Sequence, residues 1–223
     1  MASATAVEPG LAPLWFRLPP GFVDLDPDEL PTIRDQVVED VAILCSDPSA
    51  RDQRLLETDV LLNLLSELPM QGITYLAFGL HTGGDAGFST SVLSFADVPT
   101  NAPTSTMAAA QCALELVLNP LGSVVTRELL EIPCGSPAAL VTCLLPEPPT
   151  EVPGHKRDVF QTRLGVARPT GSHVVVVDLT TTTVELADEY TEILRGIGQT
   201  ISFTDPTPKH EAHSRSRIWE ALQ

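Results

Sequence analysis

The chain has 223 residues, of which 43% are hydrophobic and 5% aromatic, and its formal net charge is -16. This length is within the range of a single domain or two small ones, and the composition predicts a core built mainly from aliphatic side chains. The negative charge repels phosphate groups and so disfavours nucleic acids and anionic membranes as partners. No apolar run reaches the length of about 18 residues that indicates a transmembrane helix.

Both ends of the chain are predicted to lie outside the folded domain. Residues 1–13 lack the basic and apolar regions of a secretory signal, so we expect a disordered N-terminus and a cytoplasmic protein. A single domain is predicted over residues 14–205, followed by a linker and C-terminal tail over residues 206–223. The cysteines form no C-x-x-C pair, which indicates free thiols rather than a zinc, redox or disulfide site; they are Cys45, Cys112, Cys134 and Cys143.

The first predicted elements are a strand and two helices. Trp15–Pro19 reads as a short strand ended by prolines and a glycine. Asp26–Glu29 combines a helix N-cap, a proline at the first helical position and an acid in the first turn. That helix is predicted to end near Ser46, and a second helix follows as far as Leu68. The short connection between them predicts a helical hairpin.

The middle of the chain changes to a β-type pattern. Residues 73–80 and 88–98 are β-like segments separated by a glycine-rich turn, which predicts an antiparallel hairpin. Ser105 to Leu118 then reads as a third helix. The 3.6-residue period predicts that one side of it faces inward, namely Met107, Ala110, Leu114 and Val117.

The strongest pattern in the chain lies between His173 and Phe203. Three further strands are predicted before it, over residues 124–132, 138–145 and 160–167. Val174–Val177 is a run of four β-branched residues, so both faces of this strand must be covered and the strand must be central. Thr182 and Glu185 have the spacing of a capping box for the last helix. Its predicted buried stripe is Leu186, Tyr190, Ile193, Leu194 and Ile197.

The order of these elements defines the fold class. Strands in hairpin order, interrupted by helices, are typical of an α+β domain with an antiparallel sheet. We therefore predict a mostly antiparallel sheet of about six or seven strands flanked by helices.

Three segments of the sequence resemble the Mog1/PsbP-like fold: Trp15–Phe22, Val174–Thr180, and Glu189–Tyr190 with the closing Ile201 and Phe203. Members of that fold include mycobacterial LpqN-type lipoproteins and chaperones of bacterial type VI effectors. The resemblance covers roughly residues 15–205 and implies an α/β/α sandwich that binds proteins as an adaptor or secretion chaperone. It supplies no catalytic residues.

The candidate catalytic residues form no recognisable site in the sequence. His81 precedes Gly83–Gly87, but this loop lacks the Lys and Ser/Thr of a phosphate-binding loop, so a hairpin turn is favoured. His173 and Asp178 are five positions apart on one strand and so point to opposite faces. Asp178 is predicted to bond a loop at the strand end. We predict no catalytic residue, no metal ligand and no cofactor.

The C-terminal tail is the best candidate for a partner-binding segment. Residues 209–223 carry three basic and two acidic side chains, in contrast to the acidic body of the protein. The residues predicted to bind are Arg215, Arg217, Ile218, Trp219 and Leu222. Two alternatives stay open, because the tail can dock on its own domain or insert as a short helix into a groove of a partner.

Three functional hypotheses follow. The first is a non-catalytic adaptor or chaperone that binds a protein partner through its sheet face, its helical hairpin or its tail. The second is a small-molecule or lipid carrier that holds its ligand between the sheet and the helical hairpin. The third is a hydrolase that uses His81 or His173. Oligomerisation is left open.

Overall fold

The computed structural model describes residues 3–4, 11–26, 30–44, 48–67, 72–82, 88–117, 123–146 and 158–206. The strands are β1 (Ser3–Ala4), β2 (Trp15–Phe16), β3 (Phe22–Asp24), β4 (Ile73–Thr82), β5 (Phe88–Pro99), β6 (Ser123–Glu131), β7 (Pro137–Pro146), β8 (Asp158–Ala167) and β9 (His173–Thr181). The helices are α1 (Leu30–Leu44), α2 (Pro48–Glu67), α3 (Ser105–Val117) and α4 (Ala187–Thr200), with a 3-10 turn at Val184–Leu186.

Seven strands form one sheet in which every neighbouring pair is antiparallel. Their order is β3-β4-β5-β9-β8-β7-β6, and β1 pairs separately with β2. The predicted α+β class with a mostly antiparallel sheet flanked by helices is therefore confirmed.

The valine run occupies the middle of this sheet, as the sequence predicts. β9 lies between β5 and β8, and Val177 is opposite Phe95 on one side and Leu164 on the other. Val174, Val175 and Val177 are buried. Continuous β-branched residues suit this position because helices cover both faces of the strand.

One face of the sheet is covered by α4 and by the chain segment around β2. Tyr190, Leu194 and Ile197 of α4 pack on a cluster that includes Leu164 and Val177. Phe16 of β2 joins the same cluster and stacks on the ring of Phe95, with ring centroids 4.2 Å apart. The segment around β2 is therefore part of the core.

The opposite face is covered by α1 and α2 over one half of the sheet. Leu61 and Leu65 of α2 pack with Leu76 and Phe78 of β4. These strand residues alternate with Ala77, which belongs to the cluster on the other face. Because neighbouring strand residues point to opposite faces, the hairpin and α4 lie on opposite sides of the sheet.

Helix α3 covers the other half of that face through small side chains. Ala108, Ala109 and Cys112 pack against Ala167 and Val174. A methyl group added at Gly165 of β8 would lie 2.3 Å from the Cys112 sulfur. The lack of a side chain at Gly165 thus lets the helix approach the sheet closely.

The predicted inward side of α3 is wrong. Met107 and Leu114 are 47% and 56% exposed, and Ala110 is half-buried. The side chain of Val117 lies outside the described residues. Close packing against Gly165 selects the smallest side chains for the interface, so the helix turns its alanines and Cys112 inward and its longer apolar residues outward.

The predicted capping box at the start of α4 is also wrong. A 3-10 turn precedes α4, Leu186 occupies the N-cap position, and neither Thr183 nor Leu186 makes a side-chain cap hydrogen bond. The Thr181 hydroxyl instead accepts a hydrogen bond from the Thr183 N–H at 3.1 Å and donates one to the Thr90 carbonyl at 2.7 Å. The turn is therefore fixed by Thr181, not by the Thr182 and Glu185 pair.

Candidate functional site

The outer side of α4 carries both acidic and apolar residues. Glu189, Glu192, Ile193 and Gly196 recur at three- and four-residue intervals, which places them on one side of a helix. The opposite side of α4 carries the buried residues of the core. The spacing predicts that Ile193 belongs to the buried stripe, and the structure places it half-buried at the boundary between the two sides.

The chain segment around β2, which we call the N-terminal segment, runs alongside the C-terminal end of α4. Trp15 and Ser202 exchange two backbone hydrogen bonds of 2.9 Å. The Arg17 N–H donates to the Thr200 hydroxyl at 2.9 Å, and that hydroxyl is also 3.3 Å from the Arg17 carbonyl oxygen. Leu18 and Pro19 are thereby held beside the helix.

A buried ion pair also holds the N-terminal segment in place. Arg168 forms hydrogen bonds with the Asp97 carboxylate and donates one from Nη1 to the Ala12 carbonyl at 2.6 Å. Its guanidinium also lies over the ring of Phe203, 5.0 Å from the centroid. The start and the end of the folded chain are therefore joined at one buried cation.

A groove of about 600 Å³ lies between the N-terminal segment and α4. Its lining is mainly apolar and also includes two glutamates of α4 and one arginine; the lining residues are Arg17, Leu18, Pro19, Glu189, Glu192, Ile193, Gly196, Ile197 and Thr200. A smaller cleft of about 220 Å³ adjoins it and shares Arg17 and Thr200. We call the larger cleft the α4 groove. Concave apolar surfaces with a few charged groups are typical of sites that bind ligands or peptides.

A second cluster of chemical groups surrounds His81 of β4. Its Nε2 lies 3.2 Å from the Ser91 hydroxyl, and its ring contacts the edge or face of Phe22 and Tyr190. The Tyr190 hydroxyl lies 2.7 Å from the Ser89 hydroxyl. Burial lowers the pKa of His81 and raises the pKa of Tyr190.

The His81 cluster has a histidine and a hydroxyl in contact, but not the access that a hydrolase needs. Ser91 is fully buried, so its hydroxyl has no path to a substrate in this conformation. His173 bonds the neighbouring Ser172 hydroxyl at 3.1 Å, and Ser172 is exposed. Its position in β9 puts it on the opposite face from Asp178, as the spacing predicts.

A half-buried polar cluster lies on the sheet face that carries the helical hairpin and α3. The prediction that Asp178 bonds a loop is wrong, because Asp178 lies within β9 and accepts a 2.5 Å hydrogen bond from Arg163 Nε of β8. Gln161 donates to the same carboxylate. Adjacent antiparallel strands oppose Arg163 and Asp178 directly, which explains the pairing.

Cys143 borders this cluster, and its sulfur lies 3.5 Å from the Gln161 side-chain oxygen. Burial raises the pKa of the Cys143 thiol, although Arg163 opposes the effect. The thiol therefore stays protonated at neutral pH, whereas nucleophilic cysteines need the thiolate. Cys112 is buried and Cys134 is exposed.

In the described part of the chain, packed side chains occupy the space between the sheet and the helical hairpin where a small molecule or lipid is predicted to bind. Val41, Leu61, Leu65 and Phe78 belong to one buried cluster between the hairpin and the sheet. The carrier hypothesis stays a prediction.

Several predicted features lie outside the described residues. These are the glycine loop 83–87, Cys45, and the tail residues Arg215, Arg217, Ile218, Trp219 and Leu222. Within the described ranges, no group of three His, Cys, Asp or Glu side chains is arranged to hold a metal ion. None of the helices described is both long and apolar enough to cross a membrane.

Comparison with protein-family models and with curated proteins finds no match. Among solved structures, the chain is similar to the crystal structure of PA94 from Pseudomonas aeruginosa, which is described as a protein of unknown function and a candidate regulator. The identity is 19% and the TM-score 0.40, over 59% of this chain and 84% of PA94.

The α4 groove was not predicted from the sequence. Its α4 side could have been suspected from Ile193 and Gly196, which stand among acids on the outer side of an otherwise regular amphipathic helix. Its other wall could not, because Leu18 and Thr200 are 182 positions apart in the sequence.

Proposed function

We propose that the protein is a non-catalytic protein-binding module, an adaptor or secretion-type chaperone, which receives a partner segment in the α4 groove. The observation that carries this proposal is an open apolar groove with Glu189 and Glu192 in its lining. Apolar side chains of a partner would enter between Leu18 and Ile193, and its Lys or Arg residues would meet Glu189 and share Glu192 with Arg195. The resemblance of the sequence to Mog1/PsbP-like adaptors and chaperones adds support.

The charge of the chain supports a basic partner segment. A net charge of -16 favours contact with cationic surfaces over anionic ones, an effect that weakens as the salt concentration rises. The tail residues Arg215, Arg217, Ile218, Trp219 and Leu222 are proposed as a second contact with the partner. A protein working in the cytoplasm is the setting that we propose for this activity.

Gly196 offers a direct test of the groove. It lines the groove, and a methyl group added at its Cα would meet no atom within 4 Å. Gly196→Trp therefore fills the groove from an exposed helix position, while Gly196→Ala leaves the groove open. We expect the tagged Gly196→Trp protein to bind its main protein partner at least about tenfold more weakly than wild type does.

The partner is first identified by quantitative mass spectrometry of material captured on the wild-type protein, and its affinity is then measured with purified components. Gly196→Ala is the matched control and should bind like wild type. Circular dichroism and thermal unfolding confirm that both variants are folded. Equal affinity of wild type and Gly196→Trp would remove the groove from the proposal.

A further inference from the structure

Strand β6 is a long edge strand with exposed apolar side chains. It is the last strand in the sheet order and pairs with β7, and in the described part of the chain its outer edge has no neighbouring strand. Val125 is 56% exposed and Leu129 is 64% exposed. An edge strand presents a row of free backbone N–H and C=O groups to another strand. The opposite edge, β3, has only three residues.

Successive side chains of β6 point to opposite faces of the sheet, and this decides which of them could meet in a strand pair. Arg127, Leu129 and Glu131 are opposite Val141, Ala139 and Pro137 of β7 and share one face of the sheet. The intervening Glu128 points to the other face, where it pairs with Arg195 of α4. Neither Arg127 nor Glu131 forms an ion pair with another described residue.

This pattern is complementary to itself. If a second β6 is laid antiparallel against the first with Leu129 facing Leu129, each Arg127 is opposite Glu131 of the second copy. Directly opposed side chains have Cβ atoms about 4.5–5.5 Å apart, and opposite charges at that distance attract. A shift that centres the pair on Arg127 would oppose two guanidinium groups, and a shift to Glu128 would oppose two carboxylates.

We propose that β6 pairs antiparallel with β6 of a second copy of this chain, with Leu129 at the two-fold axis and two Arg127–Glu131 contacts beside it. The dimer would continue the sheet across both copies and would cover the exposed Leu129 side chains. The overall charge of -16 opposes association, but at physiological salt charges separated by more than about 8 Å are largely screened. The contacts at the strand therefore decide the register.

Charge exchange at β6 tests the proposal on the full chain. Arg127→Glu and Glu131→Arg each place like charges opposite each other in a dimer of identical copies. We expect each variant alone to self-associate at least about tenfold more weakly than wild type in sedimentation experiments over a range of concentrations. An equimolar mixture of the two variants restores opposite charges at both contacts, so we expect a heterodimer.

The controls separate local pairing from overall charge. Glu131→Arg makes the chain less negative, so a general charge effect would strengthen its self-association, whereas the proposed pairing weakens it. Glu185→Arg changes the net charge equally at an exposed position outside the sheet and should dimerise at least as well as wild type. Circular dichroism verifies folding. A wild type that stays monomeric at all concentrations, or variants that fail to form the mixed dimer, would overturn the proposal.

Discussion

The centre of the sheet and its β6 edge contain the same kinds of residue in opposite surroundings. Val177 and Leu179 of β9 are fully buried between two helical layers, whereas Val125 and Leu129 of β6 are mostly exposed. Burial of apolar surface stabilises a fold, and exposed apolar surface does not. The difference teaches that the centre determines the stability of the domain, while the apolar residues of β6 are available for association.

The largest expected effect is on the free energy of unfolding, and it compares a buried ion pair with an exposed one. Asp97→Ala leaves the buried Arg168 guanidinium without its carboxylate, and we expect a loss of about 3–5 kcal/mol in the free energy of unfolding. Glu128→Ala removes one of the two described partners of Arg195 at the exposed β6 edge, leaves Glu192 as the other, and should leave the unfolding midpoint essentially unchanged. Urea denaturation measures both variants.

A double variant distinguishes the unpaired charge from other causes. Asp97→Ala combined with Arg168→Met removes both charges, so it should be more stable than Asp97→Ala alone. The comparison fails if Glu128→Ala destabilises the protein as much as Asp97→Ala does.

The second expected effect uses one substitution at a central and a peripheral glycine. Gly165→Ala puts a methyl group 2.3 Å from the Cys112 sulfur, and we expect a loss of about 1–3 kcal/mol. Gly196→Ala on the outer side of α4 meets no atom within 4 Å and should stabilise the protein by up to about 1 kcal/mol, because alanine favours the helix.

Truncation of the clashing neighbour sharpens this result. Cys112→Ala in the Gly165→Ala background removes the sulfur, so part of the lost free energy of unfolding should return. No recovery in thermal denaturation would mean that the close approach of α3 to β8 is not the cause.

The smallest expected effect concerns His81, on the strand between the centre and the short β3 edge. Burial lowers its pKa in the folded protein below the usual 6.5, so the unfolded chain takes up this proton first as the pH falls. The free energy of unfolding should therefore decrease below about pH 6.5 and be restored as the pH rises. His81→Gln should lack this component, which denaturation at pH 5 to 8 measures by difference. Identical pH profiles for both proteins would contradict it.

The sequence predicted secondary structure best where a segment is buried on both of its faces. The Val174–Val177 run could be placed at the centre because four consecutive β-branched residues are typical of a strand that is covered on both faces. The inward side of α3 could not be predicted, because alanines and larger apolar residues fit the same period. The choice between them depends on Gly165, which is distant in the sequence.

The candidate site was less accessible to prediction than the fold. The α4 groove depends on the docking of residues 15–19 beside the end of α4, which the Trp15 and Ser202 hydrogen bonds fix. The contact between Arg163 and Asp178 depends in the same way on the register of β8 against β9. Neither contact has a local signature in the sequence, because strand pairing brings together residues that are far apart in the chain.

By itself the sequence determined the α+β class, the central position of the valine run and the acidic surface, because composition and periodicity express how each segment must be buried. Only the tertiary structure decided which side of α3 is exposed, where the groove opens and that β6 ends the sheet. These features arise from contacts between residues far apart in the chain, and the packing of one element selects which side of the next can face water.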